Sequence, residues 1–433
     1  MRADAAAPRW WAQWGRPFGQ TASLRDYGVT FAAEFGTLAA GLLVLRLAAS
    51  NWGTVGFGEY ILVRRTLSLL QLPILCNMGI AISRYVAIAG VKAAQHTRAT
   101  YLLAATAVAM SVSVACAGFL LLLAGPVASL MFGSAQFAPD IRVIALALPG
   151  LALHGVAYGY YRGRLQMLVA NALQVLNLAL VPLAAMAILG ASVQQAVLAL
   201  AVAWNVVAIA FIVPPLLAAR AEGHAGIRDA IAELLRFGVP RVPGEFALAA
   251  LFSLPTTITA HLGGVEQAGF VGLGVSLLSM VGSMYAPLGQ IVLPSVSAMA
   301  ARGETGTLRR DVQRLWLACV ASGAAMVVVL AASARLLVTL YVGATFLPAV
   351  PVVRLVLLAG VPHITYVVLR NVLDALDPRP LNARNLVVAL VVFVAVALAI
   401  RKPEAVGAGL LAGVTVLGGL SLRDTHRLLQ SAT

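Results

Sequence analysis

Charge is scarce in this chain. Asp, Glu, Lys and Arg make up only 11% of its 433 residues, under half the roughly 25% that soluble domains carry. A water-soluble fold of this length would have too few charges to coat its surface. Lysine is almost missing: Lys92 and Lys402 are the only two, and the other basic residues are arginines. The three cysteines, Cys76, Cys116 and Cys319, sit in apolar runs without CxxC spacing. That excludes a disulfide scaffold or a cysteine metal site and leaves buried free thiols. No HExxH, no phosphate-binding GxxxxGK and no histidine with a second ligand at metal spacing occur. Neither a catalytic residue nor a metal is therefore expected, and a carrier is favoured over an enzyme. The first residues also lack the short apolar core and small-residue cleavage site of a removable signal peptide, so the first apolar run is expected to act as the targeting signal.

Apolar residues, by contrast, form 61% of the chain, and the mean hydropathy is +0.92. Twelve spans of about 20 residues need about 240 such positions, and the chain supplies them. They fall at 27–50, 59–82, 100–124, 141–160, 168–190, 193–217, 239–261, 270–296, 315–334, 349–369, 386–400 and 405–422. The eleventh is short for ~30 Å of hydrocarbon unless Arg401 and Lys402 snorkel outward. Basic residues divide unequally between alternate loops: Arg142, Arg335, Arg354, Arg401 and Lys402 are the five on one side, against twenty-two on the other. The positive-inside rule then places both termini in the cytoplasm. The formal charge of +14 follows from this orientation, so no nucleic acid partner is needed. Two stretches read as interfacial. Residues 9–18 hold Trp10, Trp11 and Trp14 among arginines, a composition suited to lipid headgroups. Further on, Ile227, Ile231, Leu234 and Leu235 repeat at helical spacing against Arg228, Asp229, Glu233 and Arg236, which marks an amphipathic cytoplasmic helix.

The chain repeats itself at an offset of 209 to 211 positions. Tyr27-Gly28-Val29 returns as Phe237-Gly238-Val239, Glu34-Phe35 as Glu245-Phe246, and Leu67-Ser68-Leu69 as Leu278-Ser279-Met280. Leu130, Gly133, Phe137 and Pro139 return as Leu340, Gly343, Phe346 and Pro348, and His154 as His363. An interval of six spans gives both copies the same orientation, a parallel repeat about an axis along the membrane normal. The expected organisation is a cytoplasmic segment at 1–26, a six-helix bundle at 27–218, an amphipathic linker at 219–238, a second six-helix bundle at 239–422 and a tail at 423–433. Pro73, Pro149, Pro182, Pro255 and Pro287 interrupt spans and permit bends. Glycines 407, 409, 413, 418 and 419 in the last span permit close helix packing.

The run from Gly56 to Ala87 reads Gly-Phe-Gly-Glu-Tyr, Leu-Ser-Leu-Leu-Gln, Asn-Met-Gly-Ile and Ser-Arg-Tyr-Val-Ala. It resembles the second-helix signature of polysaccharide biosynthesis flippases in the multidrug/oligosaccharidyl-lipid/polysaccharide exporter superfamily. The stretch 130–139 and its copy are similar to the loop before the fourth and tenth helices of that group. The resemblance covers nearly the whole chain and implies an all-α membrane protein of two six-helix bundles around a central cavity. Relatives of the lipid II flippase usually carry fourteen helices, so a count of twelve argues against that branch.

Charges inside spans cost ~2.5 to 3.5 kcal/mol near the bilayer centre and so face water or a partner. Arg46 near the outer end of the first span, and Arg64 and Arg65 early in the inward-running second, reach a similar depth. Guanidinium forks match phosphate oxygens, so this cluster is a candidate pyrophosphate site; snorkelling outward or pairing with Glu59 is the bland alternative. Arg64 and Arg65 point about 100° apart on a helix, which leaves open which of them faces a cavity. The repeat places Val275 and Ser276 at their counterparts, so the charge belongs to one half. Glu34 and Glu245 occupy equivalent positions in the first helix of each bundle. They are candidates for coupling or gating, by binding a proton or sodium ion or by pairing with arginines such as Arg241, and the alternative is a carboxylate bonded at a helix end. His154 and His363 read as helix-internal hydrogen-bonding residues.

The resemblance implies a flippase moving a polyprenyl-diphosphate-linked oligosaccharide across a bacterial inner membrane by alternating access. The implied setting is a monomer with no cofactor, its partners being membrane lipid and envelope polymerases or glycosyltransferases. A cation-coupled drug or metabolite exporter of the same superfamily is the alternative, though that cargo favours acids in the cavity. A membrane-embedded glycosyltransferase or ligase would need a long polar outer loop with catalytic acids, and the loops here are short.

Overall fold

The computed structural model describes residues 24–90, 96–188, 191–221, 226–302, 305–377 and 379–431, and these are helical throughout, with no strand among them. The expected tryptophan-rich segment at 9–18 lies outside the described residues. In chain order the helices are α1 (Leu24–Leu75), α2 (Met78–Ile88), α3 (Arg98–Leu122), α4 (Ala124–Phe132) and α5 (Ala138–Gly163). Then come α6 (Met167–Val175), α7 (Val181–Ile188), α8 (Val193–Ala221) and α9 (Ile227–Gly238). The second part holds α10 (Val242–Ser283), α11 (Leu288–Ala301), α12 (Thr305–Ala332), α13 (Ala334–Tyr341), α14 (Val350–Leu357), α15 (Gly360–Leu376), α16 (Leu381–Ile400) and α17 (Pro403–Ser431).

Among the described residues nine helices are long and apolar enough to cross a membrane, or ten if the bent pair 344–376 counts as one span. Two of the nine are broken. The first folds back at Gly53, whose φ of 62° and ψ of −162° suit a residue without Cβ. A Cβ on Gly41 would lie 3.9 Å from Arg64 Nη2, so residues on either side of the break are neighbours and α1 is a helical hairpin. Helix α10 does the same at Gly264, with φ 84°, since Gly272 lies against the Thr256 side chain. The nine or ten helices that pass fall short of the twelve spans expected from sequence; twelve is reached only if each hairpin counts as two and the bent pair as one.

Two other boundaries differ from expectation. The second span, read as continuous, is interrupted at Cys76 and Asn77, both left-handed with φ 43° and 56°. The eleventh is longer than its fifteen apolar residues, because α16 starts at Leu381. Its polar first turns are held from outside: Arg384 and Asn385 donate to the Asp424 carboxylate on α17, and Asn382 donates to Asp374 and to the Arg370 carbonyl. These bonds replace the water such residues would otherwise need.

Packing follows the small residues. In α17, Gly407, Gly409, Gly413 and Gly418 each face a neighbouring side chain or backbone, and only Gly419 has open space. The amphipathic α9 buries Ala230 and Leu234 and is pinned to α3 by Tyr101, which donates to Glu233 at 2.6 Å. Arg84 and Arg241 both stack on Phe237 at its end. This helix joins the two bundles on the arginine-rich face, where Arg98 and Arg164 also line a cavity with Pro215, Ala218 and Ala219.

Candidate functional site

The second limbs of α1 and α10 meet along a seam, and its pairs obey one rule. Gly58 touches Gly269, Ile61 touches Gly272, and Arg65 Nη2 donates to Ser276 Oγ at 3.0 Å. Each pair is related by the same offset of 211. Equivalent residues meet one another only where two copies straddle a twofold axis, so the repeat is also the contact.

The seam is closed toward the face opposite the arginine-rich one. Phe346 sits edge-on to Phe57 and Phe270, with centroids 5.1 and 6.1 Å away. Tyr341 donates to the Leu42 carbonyl at 2.6 Å, and the His261 ring nitrogen lies 2.8 Å from the Leu130 carbonyl. Gly133 leaves room for the Ala260 backbone. Except for Phe346 on Phe270, which lies within the second half, these contacts join one half to the other.

Here the three arginines come together. Arg65 reaches across to Ser276, its Nε buried without a hydrogen-bond partner. Arg46 and Arg64 remain exposed, and both charges bear on the Tyr341 hydroxyl of the other half. Among the described residues none of the three makes an ion pair within 4.0 Å. Pairing with Glu59, the bland alternative, does not occur, because Glu59 faces Asp140 instead. Both Arg64 and Arg65 thus serve this region, one exposed and one spanning the seam. Three uncompensated guanidiniums form a strong anion-attracting patch.

Glu34 and Glu245 do not meet each other. Each lies beside a tyrosine–arginine pair of its own half, but of the two, among the described residues, only Glu245 is ion-paired there. Glu245 lies 4.0 Å from Arg370, whose guanidinium stands 5.7 Å over the Tyr366 ring. Glu34 is exposed and faces Tyr158, over which Arg162 stands at 5.4 Å. His154 stacks on Tyr158 and His363 on Tyr366. The partner of Glu245 is therefore Arg370, while Arg241 is engaged by the Phe237 ring and carbonyl. The duplicated Tyr-x-x-x-Arg beside each histidine was visible in the sequence as a spacing, but aromatic and basic residues near a helix end carry no such meaning until the glutamates fold onto them.

Two further polar clusters are unannounced by the sequence. In the first half, a π turn at Leu176–Leu180 carries the fully buried Asn177, whose amide lies 3.2 Å from His154 Nδ1 and whose carbonyl accepts from Trp204 at 2.6 Å. The second is the Glu59–Asp140 pair. Asp140 is 1% exposed, with both oxygens lacking a hydrogen-bond donor.

Residues 23–300 match the model of a family described as polysaccharide biosynthesis protein. Among curated proteins none matches by sequence. Among solved structures, the chain is similar to an inward-facing conformation of a multidrug resistance MATE family transporter of the MOP superfamily, with TM-score 0.73 and 14% identity over 92% of this chain and 95% of that one. It is similar to an outward-facing conformation of such a transporter with TM-score 0.61, 12% identity and coverage of 94% and 96%. Its likeness to the lipid II flippase MurJ in an inward closed conformation has TM-score 0.70 and 9% identity, covering 95% and 91%.

Proposed function

The chain belongs to the polysaccharide biosynthesis protein family, and from that membership we propose that it is a flippase for a polyprenyl-diphosphate-linked oligosaccharide in a bacterial inner membrane. The observation that carries the reading is the trio Arg46, Arg64 and Arg65. They are cationic, free of carboxylate partners among the described residues, and set where the two halves meet. An anionic diphosphate is the headgroup such forks recognise. A drug cation would be repelled by them.

The positive-inside rule assigns the arginine-rich face to the cytoplasm. The seam is closed on the far side, so in this reading cargo enters from the cytoplasmic side. The diphosphate and sugars would enter between the halves while the polyprenyl chain stays in lipid. Rocking the halves about the seam would then expose the head to the outer leaflet, the alternating access of parallel-repeat transporters. Nothing in this cycle requires a covalent step, so the protein acts as a carrier.

The test is transfer of a fluorescent polyprenyl-diphosphate oligosaccharide between leaflets of proteoliposomes. The wild type is expected to move it, and the triple change R46A/R64A/R65A to lower the initial rate at least tenfold with unchanged protein incorporation. Full transfer by the triple variant would overturn the role of the cluster.

A further inference from the structure

Asp140 stands in the first turn of α5 and is almost fully buried, yet neither carboxylate oxygen meets a donor. What it faces is the Glu59 carboxyl. Glu59 follows Gly58, the residue at which the two halves touch. Ionised carboxylates only accept hydrogen bonds, and two of them side by side do not both stay ionised in a buried site. The pair needs something positive between its oxygens.

Apart from the N-terminal turn of α5 itself, the surroundings supply no cation among the described residues. Along their own helices the next cations are Arg64, which turns toward Gly41 and Tyr341, and Arg142, which is exposed. Helix α4 and the turn after it contain no charged residue, and α8 carries only Arg220, at its far end. From the opposite half, His261 is engaged by the Leu130 carbonyl and Glu266 is exposed. Among the described residues no third carboxylate, histidine or cysteine joins the pair to make a metal site. A proton, which needs only two oxygens, fits where a hydrated metal ion would not.

We propose that Glu59 and Asp140 share one proton taken up from the outer side, and that its binding permits the seam between the halves to close. When the seam is open, Glu59 is at the water boundary and both carboxylates are solvated and ionised. Closure buries Asp140 and leaves Glu59 only partly exposed. With the proton, one carboxyl donates to the other and both are satisfied; without it, two anions are sealed together. The proton is bound by the closed state and not by the open one, so a lower outer pH favours closure and a higher pH favours opening. The inference rests on the alternating-access reading but not on the identity of the cargo.

The experiment uses full-length protein in nanodiscs, with Cys76, Cys116 and Cys319 replaced by Ala and spin labels at V55C and Q267C across the seam. Distance distributions between pH 5 and 8.5 give the closed-to-open ratio. One proton predicts a ratio that rises as pH falls, by up to about tenfold per unit. Sodium at fixed pH should leave it unchanged. Glu59→Gln and Asp140→Asn should each abolish the slope, whereas His261→Gln, the control for the other titratable group at the seam, should keep it. Should D140N fail to fold, the half-exposed E59Q carries the test. A slope retained in E59Q, lost in H261Q, absent in the wild type, or replaced by a sodium response would overturn the proposal. Run beside the flipping assay, the two readings separate. A pH-dependent seam with no lipid transfer would sink the cargo assignment and leave the proton site, and transfer with a pH-indifferent seam would do the reverse.

Discussion

Adding one methyl group at Gly269 should open the seam. A Cβ built there would lie 2.8 Å from Gly58 Cα and 3.1 Å from Gly58 N, against 3.4 Å for the start of ordinary contact. The halves must then part by about 0.6 Å at this point. The obstacle is backbone, so no side chain can rotate away. Overpacking of this kind costs roughly 1–3 kcal/mol, and that energy falls only on the closed state. In the open state the same methyl faces water, and alanine also favours the helix by up to about 1 kcal/mol over glycine in either state. The open-to-closed ratio of G269A should therefore rise about 5- to 150-fold. The labelled pair at positions 55 and 267 reads this ratio directly. Gly118→Ala on α3, where nothing lies within 4 Å of the new Cβ, is the control and should match the parent. A G269A ratio equal to that control would mean the seam is not what holds the outer side shut.

The remaining expectations concern the clusters within each half. Glu245→Gln removes a half-exposed ion pair at 4.0 Å and should change thermal stability by less than about 1 kcal/mol. A loss of transfer without a loss of stability in this variant, or in E34Q, would mark these acids as participants in the cycle. Asn177→Ala leaves His154 Nδ1 buried without its amide neighbour and should destabilise by about 1–3 kcal/mol, read as a lowered unfolding temperature in detergent. An unchanged temperature would show that the π turn tolerates an empty site.

Hydropathy is a local property, and what it controls was legible. The apolar runs, the amphipathic α9 and the parallel repeat all appear in the chain before any contact is known. The start of α16 was hidden because Asn382, Arg384 and Asn385 look like loop residues until α17 and α15 supply their partners. The break at Cys76 and Asn77 was hidden for a related reason, since a left-handed turn leaves no mark in hydrophobicity. Among charges, the arginines stood out as lone cations in apolar runs. The Glu59–Asp140 pair did not, because Glu59 is the first residue of the run 59–82 and Asp140 falls just before the run 141–160, each at a span end where a carboxylate is commonplace. Only tertiary packing makes them face each other.

The repeat and its departures divide the work of the molecule. Where the halves agree, they build the moving parts: hairpin breaks at Gly53 and Gly264, glycines that let the two limbs touch, and a glutamate beside a Tyr-Arg pair in each bundle. A symmetric seam lets either end open by a related motion, so duplication suits a carrier. At four positions where they differ, the first half alone carries charge. Arg64 and Arg65 stand opposite Val275 and Ser276, Glu59 corresponds to Phe270, and Asp140 to Ala349. Phe270 fills its place by packing on Phe346, so the second half presents an apolar wall to a polar one. For the proposed anionic head, the cations of this seam then lie on one half only, while its apolar chain stays in lipid.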